Sequence, residues 1–201
     1  AAYAAYKLSR LYNVPFVYEV RDLWPQTLID FKKISEKNPL AVVMNFLDRK
    51  MAEEADLIIT TAPLMKEYYI EKYRLPEDKF LWITNGSSFV EKEPLKMRHL
   101  VKDSIINVGY TGAIGYANGL IEFLEALSEV PVDIRKHFSF TFVGNGPYKE
   151  KLQNLIKERK LGNVIFECAV SKDKVWDILE SFDMLLFSLL KTPIFKYGLS
   201  P

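Results

Sequence analysis

The chain has 201 residues, 49% hydrophobic and 26% charged, the composition of a soluble globular protein with ample material for a core. Lys and Arg total 27 against 26 Asp and Glu, a net charge of +1, which excludes nucleic-acid binding driven by overall charge. The single cysteine, Cys168, rules out an intrachain disulfide and, with only His99 and His137 beside it, the usual zinc clusters; no signal peptide or spanning apolar run is visible, so any membrane association would be peripheral.

In chain order, residues 1–12 (AAYAAYKLSRLY) read as helix, stopped by Asn13-Val14-Pro15. Residues 16–20 are a β-branched and aromatic run, hence a strand, ending in Arg21-Asp22-Leu23-Trp24-Pro25. Asn38 before Pro39 makes a helix start, and Leu40, Val43, Met44, Leu47, Met51 and Ala55 then fall on one helical face. Residues 56–61 read as strand, 63–73 as helix, 74–79 as a turn and 80–84 as strand, closed by Asn85-Gly86. The charged stretch that follows, with Pro94 inside it, breaks the alternation and reads as a linker over 89–104.

Strand–helix alternation then restarts. Residues 105–110, 138–143, 164–167 and 184–188 read as strands, the last of them buried. Helices are expected over 119–130, over 148–160, and from a Ser171 cap to about Glu180. Continuous apolar strands alternating with helices predict parallel sheets covered on both faces. The fold class is therefore α/β, with two Rossmann-like halves, 1–88 and 105–201, around the linker. Both halves read as incomplete, because the chain opens inside a helix and closes inside a loop.

In such sheets ligands bind beyond the carboxyl ends of the strands. Gly112, Gly115 and Gly119 surround the first strand–helix junction of the second half, where glycines either let backbone amides approach a phosphate or merely shape a tight turn. Gly144-Asn145-Gly146 follows the next strand, where a dinucleotide fold of the NAD type would carry an acid. No Gly-x-Gly-x-x-Gly or phosphate-loop pattern is present, so neither a dehydrogenase nor an ordinary NTPase is indicated. In the first half, the pair Arg21-Asp22 at a strand end is suited to orienting or deprotonating a hydroxyl, with a surface ion pair as the plainer reading. Cys168 lacks a histidine partner and reads as structural. Lys32-Lys33 and Arg49-Lys50 read as solvated charges, although Val42 and Phe46 beside the latter leave a peripheral membrane contact open.

The order of these features resembles glycosyltransferase family 4, and within it the WbuB-like branch of bacterial surface-polysaccharide synthesis. The resemblance rests on PFVYEVRDLWP (15–25), EEADLIITTAPLMKEY (53–68), ITNGSS (83–88), VGYTGAIGYANGLIEFLEAL (108–127), FTFVGNGPYKEKL (140–152), LGNVIFECAVSKDKV (161–175) and FDMLLFSLLKTPIFKYGLSP (182–201). It implies a two-domain GT-B enzyme that retains anomeric configuration and works without a metal or other cofactor. The C-terminal domain would hold a UDP-sugar donor. The N-terminal domain would hold a saccharide or polyprenyl-diphosphate-linked acceptor, on the cytoplasmic side of the membrane. Ala169, Val170 and Ser171 would lie by the base, Gly144, Asn145 and Gly146 would shape that pocket, and Phe195, Gly198, Leu199 and Ser200 would begin the loop around sugar and diphosphate.

The chain departs from the family pattern in places. Asn118 stands where a lysine is usual, Gly198 occupies the first position of the Glu-x7-Glu pair, and Arg21 replaces the usual histidine, leaving Asp22 as the acid of that site. As an internal piece cut at both ends, the chain is expected to be inactive alone. Two other readings stay open: a non-hydrolysing UDP-sugar 2-epimerase of the same architecture, and a non-catalytic nucleotide-sugar-binding module.

Overall fold

The structure, a computed structural model, describes residues 1–86 and 104–198. The expected linker (except Ser104), His99, Leu199, Ser200 and Pro201 lie outside the described residues. Those described fall into two compact units, one of residues 1–86 with 192–198 and one of residues 104–191. Residues 192–198 thus depart from the expected grouping of 105–201.

In the first unit, α1 (Ala2–Tyr12) stops where Asn13 turns left-handed at φ 51°. Three strands, β1 (Val17–Val20), β2 (Leu57–Thr60) and β3 (Phe80–Trp82), form a parallel sheet in that order, with Val17 opposite Leu57 and Ile58 opposite Phe80. Between β1 and β2 run a short helix α2 (Gln26–Asp30), absent from the sequence reading, and α3 (Pro39–Glu54). Helix α4 (Met65–Tyr73) connects β2 to β3. Asn38 caps α3 as expected, its side chain accepting from the Leu40 amide at 2.9 Å with Pro39 in the first helical position.

The buried face of α3 differs from the expected one. Ala41, Asp48, Met51 and Ala52 point inward, whereas Leu40 and Val43 are more than half exposed. The rotation brings Asp48, a carboxylate, into the interior against Tyr69, which is fully buried. The pattern of apolar residues on α3 was a poor guide because the inward face carries three small or polar residues out of four.

The second unit is a four-stranded parallel sheet in the order β6-β5-β4-β7, from β4 (Ile106–Thr111), β5 (Phe138–Val143), β6 (Val164–Glu167) and β7 (Met184–Leu185). Helices α5 (Leu120–Glu129), a one-turn α6 (Val132–Arg135), α7 (Lys149–Glu158) and α8 (Lys172–Ser181) connect the strands. The core gathers Val108, Tyr110, Leu124, Phe140, Phe142 and Leu152, each such burial contributing about 1.5–3 kcal/mol. Two expectations fail here. The last strand is two residues long and exposed rather than buried over 184–188, because it pairs with β4 alone and forms the sheet edge. Ser171 occupies the cap position of α8, but its hydroxyl makes no capping bond and only its carbonyl accepts, from Lys174. Among the described residues no helix is long and apolar enough to cross a membrane.

Candidate functional site

A concavity of the second unit lies where the sheet topology places ligands, at the carboxyl ends of its strands. It is a cavity of about 430 Å³, lined by Thr111 at the end of β4, Gly112 and Ala113 after it, Val143, Gly144 and Asn145 at the end of β5, Ala169 and Val170 after β6, and Val175 and Leu179 from α8. No lining residue carries a charge. The structure brings together Gly112, Gly144, Asn145, Ala169 and Val170 from three separate loops.

The glycines of these loops serve a tighter purpose than phosphate approach. A Cβ on Gly144 would stand 2.0 Å from the Gly112 carbonyl oxygen, and one on Gly146 would stand 2.3 Å from that of Ile114. Backbone bonds hold the same approach: the Gly112 amide donates to Val143 at 3.0 Å, and the Ile114 amide donates to Asn145 at 2.9 Å. The loops after β4 and β5 thus pack backbone to backbone and form one wall of the cavity. Gly119 is left-handed at φ 60°, with the Leu189 backbone 2.8 Å from where its Cβ would be, so it too fills a steric role.

The remaining candidates sit elsewhere. Asn118 closes its own turn, its side-chain oxygen accepting from the Gly115 amide at 3.2 Å, and neither residue lines the cavity. Gly146 and Ser171 also lie outside the lining. Phe195 and Gly198 belong to the first unit. The Phe195 ring stands 5.9 Å from that of Phe31, and a Cβ on Gly198 would stand 2.8 Å from the Ala62 side chain. Ile194 explains the departure: it is 4% exposed, joining the first unit's core.

Two cavity features were missed in the sequence. Lys149, in the first turn of α7, donates to the carbonyls of Gly144 at 3.2 Å and Glu167 at 3.0 Å, tying the ends of β5 and β6 beside the cavity. Its place one turn after a glycine-bearing loop was the available signal. The Thr111 hydroxyl is buried and makes no hydrogen bond among the described residues, which leaves a polar group unanswered at the cavity wall. His137 precedes β5 at the amino end of the sheet, on the far side from the cavity, which disfavours an epimerase-type proton abstraction there.

In the first unit, Arg21 and Asp22 follow β1 and are both exposed. Arg21 does not hold Asp22; its Nε donates to Glu19 at 2.7 Å, an exposed pair of small energetic weight. The unit's most polar interior feature is Asp48. Its Oδ1 accepts from the hydroxyls of Tyr18 and Tyr69, both at 3.0 Å, and its Oδ2 accepts from Tyr73 at 2.9 Å. Burial pushes the Asp48 carboxyl above its ordinary range, opposed by those three donors and by Lys72. Burial in turn lowers the Lys72 ammonium, which donates to Asn45 at 2.7 Å and to the Tyr68 hydroxyl.

Known proteins place this architecture. The sequence matches the model of "Glycosyl transferases group 1" over residues 92–193. No curated protein sequence matches. Among solved structures, Anabaena HepE in complex with UDP and glucose aligns at a TM-score of 0.64 and 14% identity, over 94% of this chain and 50% of that one. The galactosyltransferase WaaB of the lipopolysaccharide outer core gives 0.60 and 13%, over 94% and 54%. WaaG, a glycosyltransferase of lipopolysaccharide biosynthesis, gives 0.56 and 16%, over 87% and 50%. The chain therefore spans about half the length of these three, and identities this low speak for the shared GT-B fold alone. Because the family model covers just over half of the 201 residues, including the whole described part of the cavity-bearing unit, the chain belongs to the group 1 glycosyl transferases.

Proposed function

We propose that the complete enzyme moves a sugar from a nucleotide-diphosphate donor, a UDP-sugar, to a saccharide or lipid-linked acceptor with retention of anomeric configuration. The observation that carries this reading is the charge-free cavity at the carboxyl ends of β4, β5 and β6 in a chain of this family. A nucleoside is the uncharged portion of such a donor, and a concave, mostly apolar slot suits it. Gly112, Gly144, Asn145, Ala169 and Val170 form the wall of that slot. The retaining course, the independence from metal, the place in family 4 beside WbuB-like enzymes, and the polyprenyl-linked acceptor at the cytoplasmic membrane face rest on the sequence resemblance.

The test uses Cys168, which is exposed and adjoins Ala169 of the cavity lining. At UDP about ten times above its Kd, alkylation of Cys168 should slow about tenfold, since the free protein alone reacts. Failure of UDP to bind in calorimetry would overturn the donor reading. Binding without protection would place UDP away from the loop after β6.

On the acceptor side we assign Asp22 the orientation of the attacking hydroxyl, with Arg21 beside it. In the complete enzyme Asp22→Asn should lower turnover by about 10²-fold, the low end for a positioned acid or base, with UDP protection of Cys168 unchanged. Undiminished turnover would remove Asp22 from the mechanism.

A further inference from the structure

A second cavity of the second unit, about 230 Å³, shares no lining residue with the donor slot. It opens between α5 and α7, over the buried side chains of Leu120 and Leu152. Tyr116 and Tyr148 flank it with ring centroids 5.9 Å apart, tilted 52° to one another. Glu122 and Glu125, one turn apart on α5, and Lys151 on α7 line its rim together with Gly115 and Ile121, the three charged side chains being exposed.

These charged groups are uncommitted. Among the described residues neither carboxylate has a hydrogen bond or ion pair, and the Lys151 ammonium meets only the Tyr148 ring, 5.6 Å from its centroid. The contrast is with the cavity of about 380 Å³ in the first unit, whose charges are answered from within: Asp30 by Gln26, Glu71 by Tyr197 and Lys72 by Asn45. The charges of the one cavity are met by neighbouring side chains; among the described residues those of the other are not.

The mixture selects a ligand class. Carboxylates accept hydrogen bonds from hydroxyls, and an ammonium donates to ring and hydroxyl oxygens. Aromatic faces cover apolar C–H surface. Phosphates and other anions meet two carboxylates of like charge. We propose that this cavity binds a neutral sugar ring, as a saccharide subsite apart from the donor slot. Its use, holding a sugar residue of the acceptor or product chain, rests on the glycosyl-transfer reading; its binding does not.

The 201-residue chain should be titrated with methyl glucoside, methyl galactoside and N-acetylglucosamine, and separately with UDP, while amide NMR shifts are followed. At least one sugar should give saturable shifts at residues 115–125 and 148–152, with a Kd on the order of 1–10 mM. Glucose 6-phosphate should bind there more weakly than the neutral ring. The double variant Glu122→Gln, Glu125→Gln should weaken the sugar about tenfold, as loss of charge-assisted hydrogen bonds does, with an unchanged melting temperature. UDP should perturb residues 111–113, 143–145 and 169–179 in both proteins. No saturable sugar shift, shifts confined to the UDP residues, or full sugar affinity in the double variant would each overturn the subsite. UDP binding without sugar binding would sink this proposal and leave the donor reading standing; the reverse outcome would do the opposite.

Discussion

Replacing Gly144 by alanine is expected to destabilise the second unit by about 3–5 kcal/mol, at the upper end for overpacking substitutions, and to abolish UDP protection of Cys168. The added Cβ would stand 2.0 Å from the Gly112 carbonyl oxygen, and the obstructing atom is backbone, which no rotamer change can move. Nor can the Gly112 loop retreat cheaply, since its amide bonds Val143 at 3.0 Å and the neighbouring Ile114 amide bonds Asn145 at 2.9 Å. Separating the loops would break those bonds and open the wall formed by Gly112, Ala113, Gly144 and Asn145. Gly162→Ala is the matched control. Among the described residues no atom beyond its own chain neighbours lies within 4 Å of its Cβ position, so it should be neutral or slightly stabilising through the unfolded chain. Thermal unfolding and Cys168 labelling of the two variants read both effects. A Gly144→Ala protein that melts like the parent would show that the loops part easily, and the wall would lose its claim to rigidity.

Asp48→Leu should cost about 3–5 kcal/mol, the scale of breaking a buried charged network by removing one member. The substitution leaves the hydroxyls of Tyr18, Tyr69 and Tyr73 without their acceptor, and Tyr69, fully buried, cannot turn to water. Asp48→Asn keeps an acceptor oxygen of the same shape and should cost far less. The pair also separates charge from hydrogen bonding through pH. Burial holds the folded Asp48 carboxyl above the value of 3.8 it has when free. The folded state therefore binds this proton more tightly than the unfolded one, and the associated stability is complete below the free value. That stability fades as pH rises through the folded value. Relative to Asp48→Asn, the parent should lose stability as the solution is brought from acid toward neutral. Denaturant titrations of both proteins across that range measure the difference, and a parent that gains on Asp48→Asn as pH rises would reverse the sign assigned to burial.

Much of the architecture was legible before folding because local signals and long-range packing agree. The stop at Asn13, the Asn38-Pro39 helix start and the apolar strands around Ile58 and Phe142 each carry their instruction within a few residues. The loops holding Gly112, Gly144 and Ala169 follow from the strand order, since parallel strands deliver their carboxyl ends to one edge. Helices α2 and α6, of five and four residues, are too short to show periodicity and take shape from their surroundings.

Tertiary structure decided matters in which one residue answers another far away in the chain. Asp48 looks like an ordinary helix-surface acid until Tyr18, 30 residues earlier, and Tyr69 and Tyr73, 21 and 25 later, converge on it and repay its burial. Arg21 lies next to Asp22 in sequence, yet past the end of β1 its guanidinium turns back to pair with Glu19 of that strand. Residues 192–198 continue the second unit in sequence, yet Ile194 and Tyr197 find their apolar and hydrogen-bonding partners in the first. By itself the sequence determined the repeating strand–helix units and the loops in which a ligand could be held. Which side chains face one another, and so which charges are neutralised, was decided only when distant segments packed, because burial free energy depends on the partner and not on the residue alone.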